Sequence, residues 1–138
     1  MCYWFFYVAH SLKPLLEMLK KWILSGPLIN IDKTPFQVLK EPGRTPDSRS
    51  YMWLFMGGPP DKQGIYYQYS PSRGGFVAAE FLGDFKGYVQ TDGYKGYNFL
   101  TQNKSITHFG CWAHVRRKFH DVLNAYGKKN PAMNNRGG

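Results

Sequence analysis

Between residues 12 and 24 the apolar positions recur at helical spacing. Leu12, Leu15, Leu16, Leu19 and Ile23 share one side of the wheel, and Lys13, Lys20 and Lys21 fall mostly elsewhere. This predicts an amphipathic helix with Ser11 as N-cap, Pro14 accommodated in the first turn, and Ser25-Gly26-Pro27 as the stop. The aromatic run before it, Tyr3 to Tyr7, has no amphipathic pattern and is expected to pack against something. The period then changes. Leu28 to Leu39, Ser50 to Met56 and Ile65 to Tyr69 are rich in β-branched and aromatic residues and are separated by turn-forming segments (Glu41-Pro42-Gly43-Arg44 and Gly57-Gly58-Pro59-Pro60-Asp61), which predicts three antiparallel strands. Gly75 to Phe85 reads as a short helix, Gly87 to Thr91 as a fourth strand, and Tyr94 to Leu100 as a short helix or loop. Ser105 to Gly110 reads as a fifth strand and Trp112 to Tyr126 as a last helix. Three meandering strands followed by helix-linked strands imply an α/β fold, a mixed five-stranded sheet with flanking helices and a helix in front.

At 138 residues there is room for one domain of ordinary size. With 43% apolar residues a wholly disordered chain is excluded. The apolar run from Cys2 to Ala9 is far short of the roughly 20 residues of a spanning helix, and no basic segment precedes it, so neither a membrane span nor a secretory signal is expected. Two cysteines, Cys2 and Cys111, argue against a disulfide scaffold and fit a reducing cytoplasm.

Charge is distributed unevenly. Residues 1–92 carry 10 basic and 8 acidic side chains; residues 93–138 carry 8 basic and 1 acidic. A basic block on a nearly neutral body suits a polyanion such as nucleic acid, and Arg116, Arg117 and Lys118 are its candidate phosphate contacts. The plainer reading, a solvated surface that keeps the protein soluble, stands beside it.

Two aspartates stand out by position. Asp32 lies within the first predicted strand, and Asp92 ends the fourth. Carboxylates are disfavoured in strand interiors and costly to bury unpaired. If these strands are neighbours, the pair could converge at one sheet edge and hold Mg²⁺ or Mn²⁺, with two ions about 4 Å apart serving phosphodiester chemistry. Alternatively, Asp92 before Gly93 is an ordinary turn residue, and Asp32 lies on an exposed face or pairs with a lysine. His108, Cys111, His114 and His120 hint at zinc, but their spacing matches no usual paired motif, and packing around Trp112 is the expected explanation. Trp53 and Trp112 are both expected in the core.

Several blocks, in order, resemble the insertion sequence 66 family of bacterial transposases. They are Ile31-Asp32-Lys33-Thr34-Pro35-Phe36-Gln37-Val38-Leu39 with Lys40-Glu41-Pro42-Gly43-Arg44, then Ser50-Tyr51-Met52-Trp53, Tyr69-Ser70-Pro71-Ser72-Arg73, and Gly87-Tyr88-Val89-Gln90-Thr91-Asp92-Gly93-Tyr94. Gly96-Tyr97-Asn98 and the most specific block, Gly110-Cys111-Trp112-Ala113-His114-Val115-Arg116-Arg117-Lys118-Phe119, complete the series. The resemblance implies a ribonuclease H-like core, here residues 27–126; the helical segment before it, 1–26, and a flexible basic tail after it, 127–138, are the expectations from spacing and composition. It implies a DDE-type transposase that cleaves and joins DNA at element ends through two divalent metals, Mg²⁺ or Mn²⁺, with Asp32 and Asp92 as catalytic metal ligands. DNA ends, target DNA, and self-association or other transposase subunits are the implied partners. Arg44 and Arg73 are further candidate DNA contacts, and His114 a candidate neighbour of the active edge. Two departures matter. The family usually has Glu after the first Asp, where this chain has Lys33; strand alternation is expected to turn Lys33 away from Asp32. The family's third acid also lies downstream of any residue here, so the fragment is expected to be inactive alone. The alternative is a non-enzymatic DNA-binding remnant that uses the basic C-terminal helix.

Overall fold

The computed structural model describes residues 3–129. The elements run α1 (Tyr3–Ser11), α2 (Lys13–Leu24), β1 (Leu28–Gln37), β2 (Arg49–Gly57), β3 (Gly64–Ser70), α3 (Phe76–Leu82), β4 (Gly87–Thr91), a 3-10 turn (Lys95–Tyr97), α4 (Phe99–Gln102), β5 (Ile106–Gly110) and α5 (Trp112–Lys129). The sheet order is β3-β2-β1-β4-β5. β1–β2 and β2–β3 pair antiparallel, while β1–β4 and β4–β5 pair parallel. This is the mixed five-stranded sheet, three antiparallel strands then two parallel, expected from the sequence.

Side-chain alternation divides the sheet into two unlike faces. Ile29 and Ile31 of β1, Trp53 and Phe55 of β2 and Val89 of β4 are buried together with Ile23 of α2, Val77, Ala78, Phe81 and Leu82 of α3, and Tyr97 and Leu100. Phe55 stacks on Phe81 with ring centroids 3.7 Å apart, and Trp53 meets Tyr97 edge-on at 6.1 Å. The opposite face carries Met52, Leu54 and Met56, paired across to Tyr69, Tyr67 and Ile65. Those three β3 side chains are exposed.

Two backbone approaches fix the connections. A Cβ at Gly26 would collide with the Gly58 carbonyl, and one at Gly75 with the Gly96 carbonyl. The second contact brings the start of α3 against the turn that carries Tyr94 and Tyr97.

Several expectations need correction. Ser11 does not cap α2. Its Oγ donates to the Tyr7 carbonyl within α1, and Leu12 holds the cap position without a side-chain bond. β1 stops at Gln37 rather than Leu39, and the helix expected from Gly75 to Phe85 spans only Phe76–Leu82. Tyr3 to Tyr7 form a helix whose side chains are exposed rather than packed, and Trp112 is 79% exposed rather than in the core. α5 continues through Lys129, so the expected tail begins no earlier than residue 130, and residues 130–138 lie outside the described residues. No helix among the described residues is long and apolar enough to cross a membrane.

Candidate nucleic-acid interface

The site forms where β4 ends beside the middle of β1. Leu28, Ile29 and Asn30 pair with Tyr88, Val89 and Gln90. The same register, continued by two residues, sets Asp32 level with Asp92. Asp32, in register with Leu54, alternates onto the open face, whereas Asp92 meets Lys33, which lies on the covered one. Both act electrostatically on the same two groups, Lys33 and Tyr97.

Each carboxylate already has partners. Asp32 lies opposite Leu54 in the β1–β2 ladder, and its Oδ1 accepts a hydrogen bond from the Lys33 backbone N–H at 2.8 Å. Asp92 accepts the Tyr94 N–H on Oδ1 at 3.0 Å and the Lys33 ammonium on Oδ2 at 3.3 Å. Lys33 falls on the covered face, in register with Trp53, and its side chain is 3% exposed. Its Nζ also donates to Tyr97 Oη at 3.2 Å and stands 4.3, 4.5 and 5.5 Å from the ring centroids of Tyr94, Tyr97 and Trp53. Burial pulls the Lys33 pKa below the usual lysine value, an effect the Asp92 carboxylate partly offsets. Burial, helped by the negative charges of Asp92 and Asp32, pushes the Tyr97 hydroxyl up, so it stays protonated.

Beside Asp92 opens a groove of about 460 Å³ lined by Arg73, Gly93, Tyr94, Lys95, His114, Arg117, Lys118 and Asp121. Three local features build it. The Arg73 guanidinium stacks on Tyr94 at 4.1 Å. The Cys111 N–H donates to the Thr91 carbonyl at 2.8 Å, which starts α5 directly beyond the end of β4. Residues 114, 117, 118 and 121 then fall on one helical stripe, which is the spacing that faces them into the groove. A Cβ at Gly93 would lie 3.6 Å from Lys118 Nζ, so that ammonium sits over the turn after Asp92. His114 Nδ1 is buried without a hydrogen-bond partner among the described residues.

Of the residues singled out from sequence, Arg73, Asp92, His114, Arg117 and Lys118 meet here. Lys95, Tyr94 and Asp121 also belong to the groove and were missed; the helical spacing of Asp121 from His114 was the available signal. Arg116 lies off the stripe. Arg44 lies at the far end of the sheet, where its guanidinium donates to Glu41, Ser50 and the carbonyls of Arg49 and Pro71. Glu41 also accepts from the Tyr69 hydroxyl and from Ser50. Arg44 is therefore spent on closing the β1–β2 connection.

A divalent metal, as implied by the resemblance, does not fit the donors as they stand. No three His, Cys, Asp or Glu side chains among the described residues group as ligands. Both Asp92 oxygens are engaged, one of them by a buried cation. Two of the histidines are likewise engaged elsewhere. His108 Nε2 bonds Thr91 Oγ1 at 2.8 Å and His120 Nδ1 bonds Asn124 at 3.0 Å.

Comparison with known proteins decides the family. The family model described as the transposase IS66 family matches residues 1–135. The chain belongs to the IS66 transposase family. Two uncharacterized proteins of Sinorhizobium fredii are similar to it. One, y4qI, is 28% identical over 135 residues (88% of this chain and 25% of that protein), and the other, y4jD, is 33% identical over 133 residues (87% and 25%). The transposase chain thus spans about a quarter of the length of these relatives. Among solved structures it is similar to the HTLV-2 integrase catalytic core domain in complex with magnesium (dimeric form), at 14% identity and a TM-score of 0.42, covering 80% of this chain and 78% of that one.

Proposed function

We propose that this part of the transposase binds the DNA backbone, with phosphates lying in the groove beside Asp92, and that in the full-length protein it serves DNA transposition. The observation that supports this reading is the convergence of Arg73, Lys95, Arg117 and Lys118 on one groove just past the end of β4. Guanidinium and ammonium groups on a turn and a helix contact phosphates without reading bases, so binding is sequence-blind and salt-dependent. Cleavage and joining of strands at element ends, with Asp32 and Asp92 holding Mg²⁺ or Mn²⁺, is what the family resemblance assigns. The Lys33–Asp92 pair favours the second reading, in which this chain alone binds DNA without cutting or joining it.

Duplex binding in EDTA, measured by fluorescence anisotropy between about 50 and 200 mM salt, tests the proposal. Converting Arg117 and Lys118 to Ser should flatten the log–log salt slope by roughly 0.9 per lost contact. Converting Lys13 and Lys62, which lie outside the groove, should leave it unchanged. An unaltered slope in the groove variant, or no duplex binding by the parent chain, contradicts the proposal. A metal-dependent nick of a terminal-repeat oligonucleotide that Asp92→Ala abolishes contradicts the second reading.

A further inference from the structure

We infer that Lys33 is a tethered counter-cation: its ammonium fills the cation position of Asp92, and Asp92 accepts Mg²⁺ or Mn²⁺ only once Lys33 is removed. The assignment rests on how completely the ammonium is held. An anion 3.3 Å away, a phenol oxygen 3.2 Å away and the faces of three aromatic rings surround it, and its side chain is 3% exposed. A side chain so enclosed has no solvent route by which to swing aside for an incoming ion.

The carboxylate it holds has little left to offer. Asp92 Oδ1 is oriented by the Tyr94 N–H, and Oδ2 already faces the ammonium. Mg²⁺ binds a carboxylate oxygen at about 2.0–2.1 Å and demands near-octahedral ligands. An ion bound to Oδ2 would share that oxygen with a like charge, in surroundings where ring faces and burial weaken screening. Position 33 faces the covered side, in register with Trp53, so its ammonium acts chiefly on Asp92 and more weakly on its sequence neighbour Asp32.

The choice of metal rests on the transposase reading, but the test uses no DNA, so failure of one is distinguishable from failure of the other. The 138-residue chain is titrated with Mn²⁺ while paramagnetic broadening of the backbone amides of residues 91–94 is followed, beside Lys33→Met and Lys33→Glu. Met keeps an unbranched apolar stem among the rings, and Glu adds a ligand. Amide dispersion reports folding of each variant. In the parent chain these amides should stay sharp. In the variants they should broaden at a Mn²⁺ concentration lower by at least about tenfold, the effect expected of removing one like charge from a poorly screened site. Adding Asp92→Asn to either variant should restore the sharp signals. Broadening in the parent chain that Asp92→Asn abolishes overturns the inference, and this arm needs no folded variant. Folded variants that gain nothing overturn it as well.

Discussion

Lys33 shows how a single side chain redirects the chemistry of a corner. Strand alternation places it on the covered face with Ile29 and Ile31, and its four-carbon stem carries the charge to Asp92. Two unit charges about 4 Å apart interact by roughly 4 kcal/mol at an effective dielectric near 20, and a divalent ion doubles the repulsion. His108 is a second side chain set by its surroundings. The one hydroxyl hydrogen of Thr91 goes to the Asp92 carbonyl at 2.8 Å, so the hydrogen between Thr91 and His108 belongs to Nε2 of a neutral ring. Burial lowers the His108 pKa from 6.5. The unfolded chain therefore binds a proton that the folded chain resists, and stability falls as pH drops below about 6.5. Denaturant midpoints measured from about pH 7 to pH 5 should decline less steeply for His108→Gln than for the parent; equal slopes contradict the assignment.

Among the elements, the β1–β2 connection is the clearest case of a charged residue used to close a loop. Arg44 makes bonds to two side chains and two carbonyls, and Glu41 ties the same knot to Tyr69. Arg44→Ala should lower the melting temperature while leaving the salt slope of duplex binding unchanged, the reverse of the Arg117 and Lys118 substitutions; a flattened slope would return Arg44 to the DNA interface. This distinction was not legible in the sequence, where an arginine after Pro-Gly reads the same whether it faces phosphate or its own carbonyls. The strands were legible because their alternation survives in Trp53 and Phe55 against Met52, Leu54 and Met56. Ser11 and Trp112 were misread for a shared reason. Local capping preference and apolar character say what a residue favours, and neither says whether a neighbour is there to meet it.

The described residues form one sheet with a covered side and an open one, and a basic groove opens just past the end of β4. The parallel pairing of β1 with β4 was readable as a possibility from two strand aspartates. What joins to Asp92 was not, because the Lys33 contact depends on a parallel pairing between segments about sixty positions apart. Basic residues of the C-terminal block reach the groove because Cys111, just ahead of α5, is bonded to the end of β4, and the stripe of His114, Arg117, Lys118 and Asp121 then faces it. A titration of the isotopically labelled chain with duplex DNA in EDTA, followed by amide chemical shifts, tests this most directly. The account predicts shifts concentrated at residues 73, 93–95 and 114–121; shifts confined to the open sheet face at residues 52–56 and 65–69, or to α1, would contradict it.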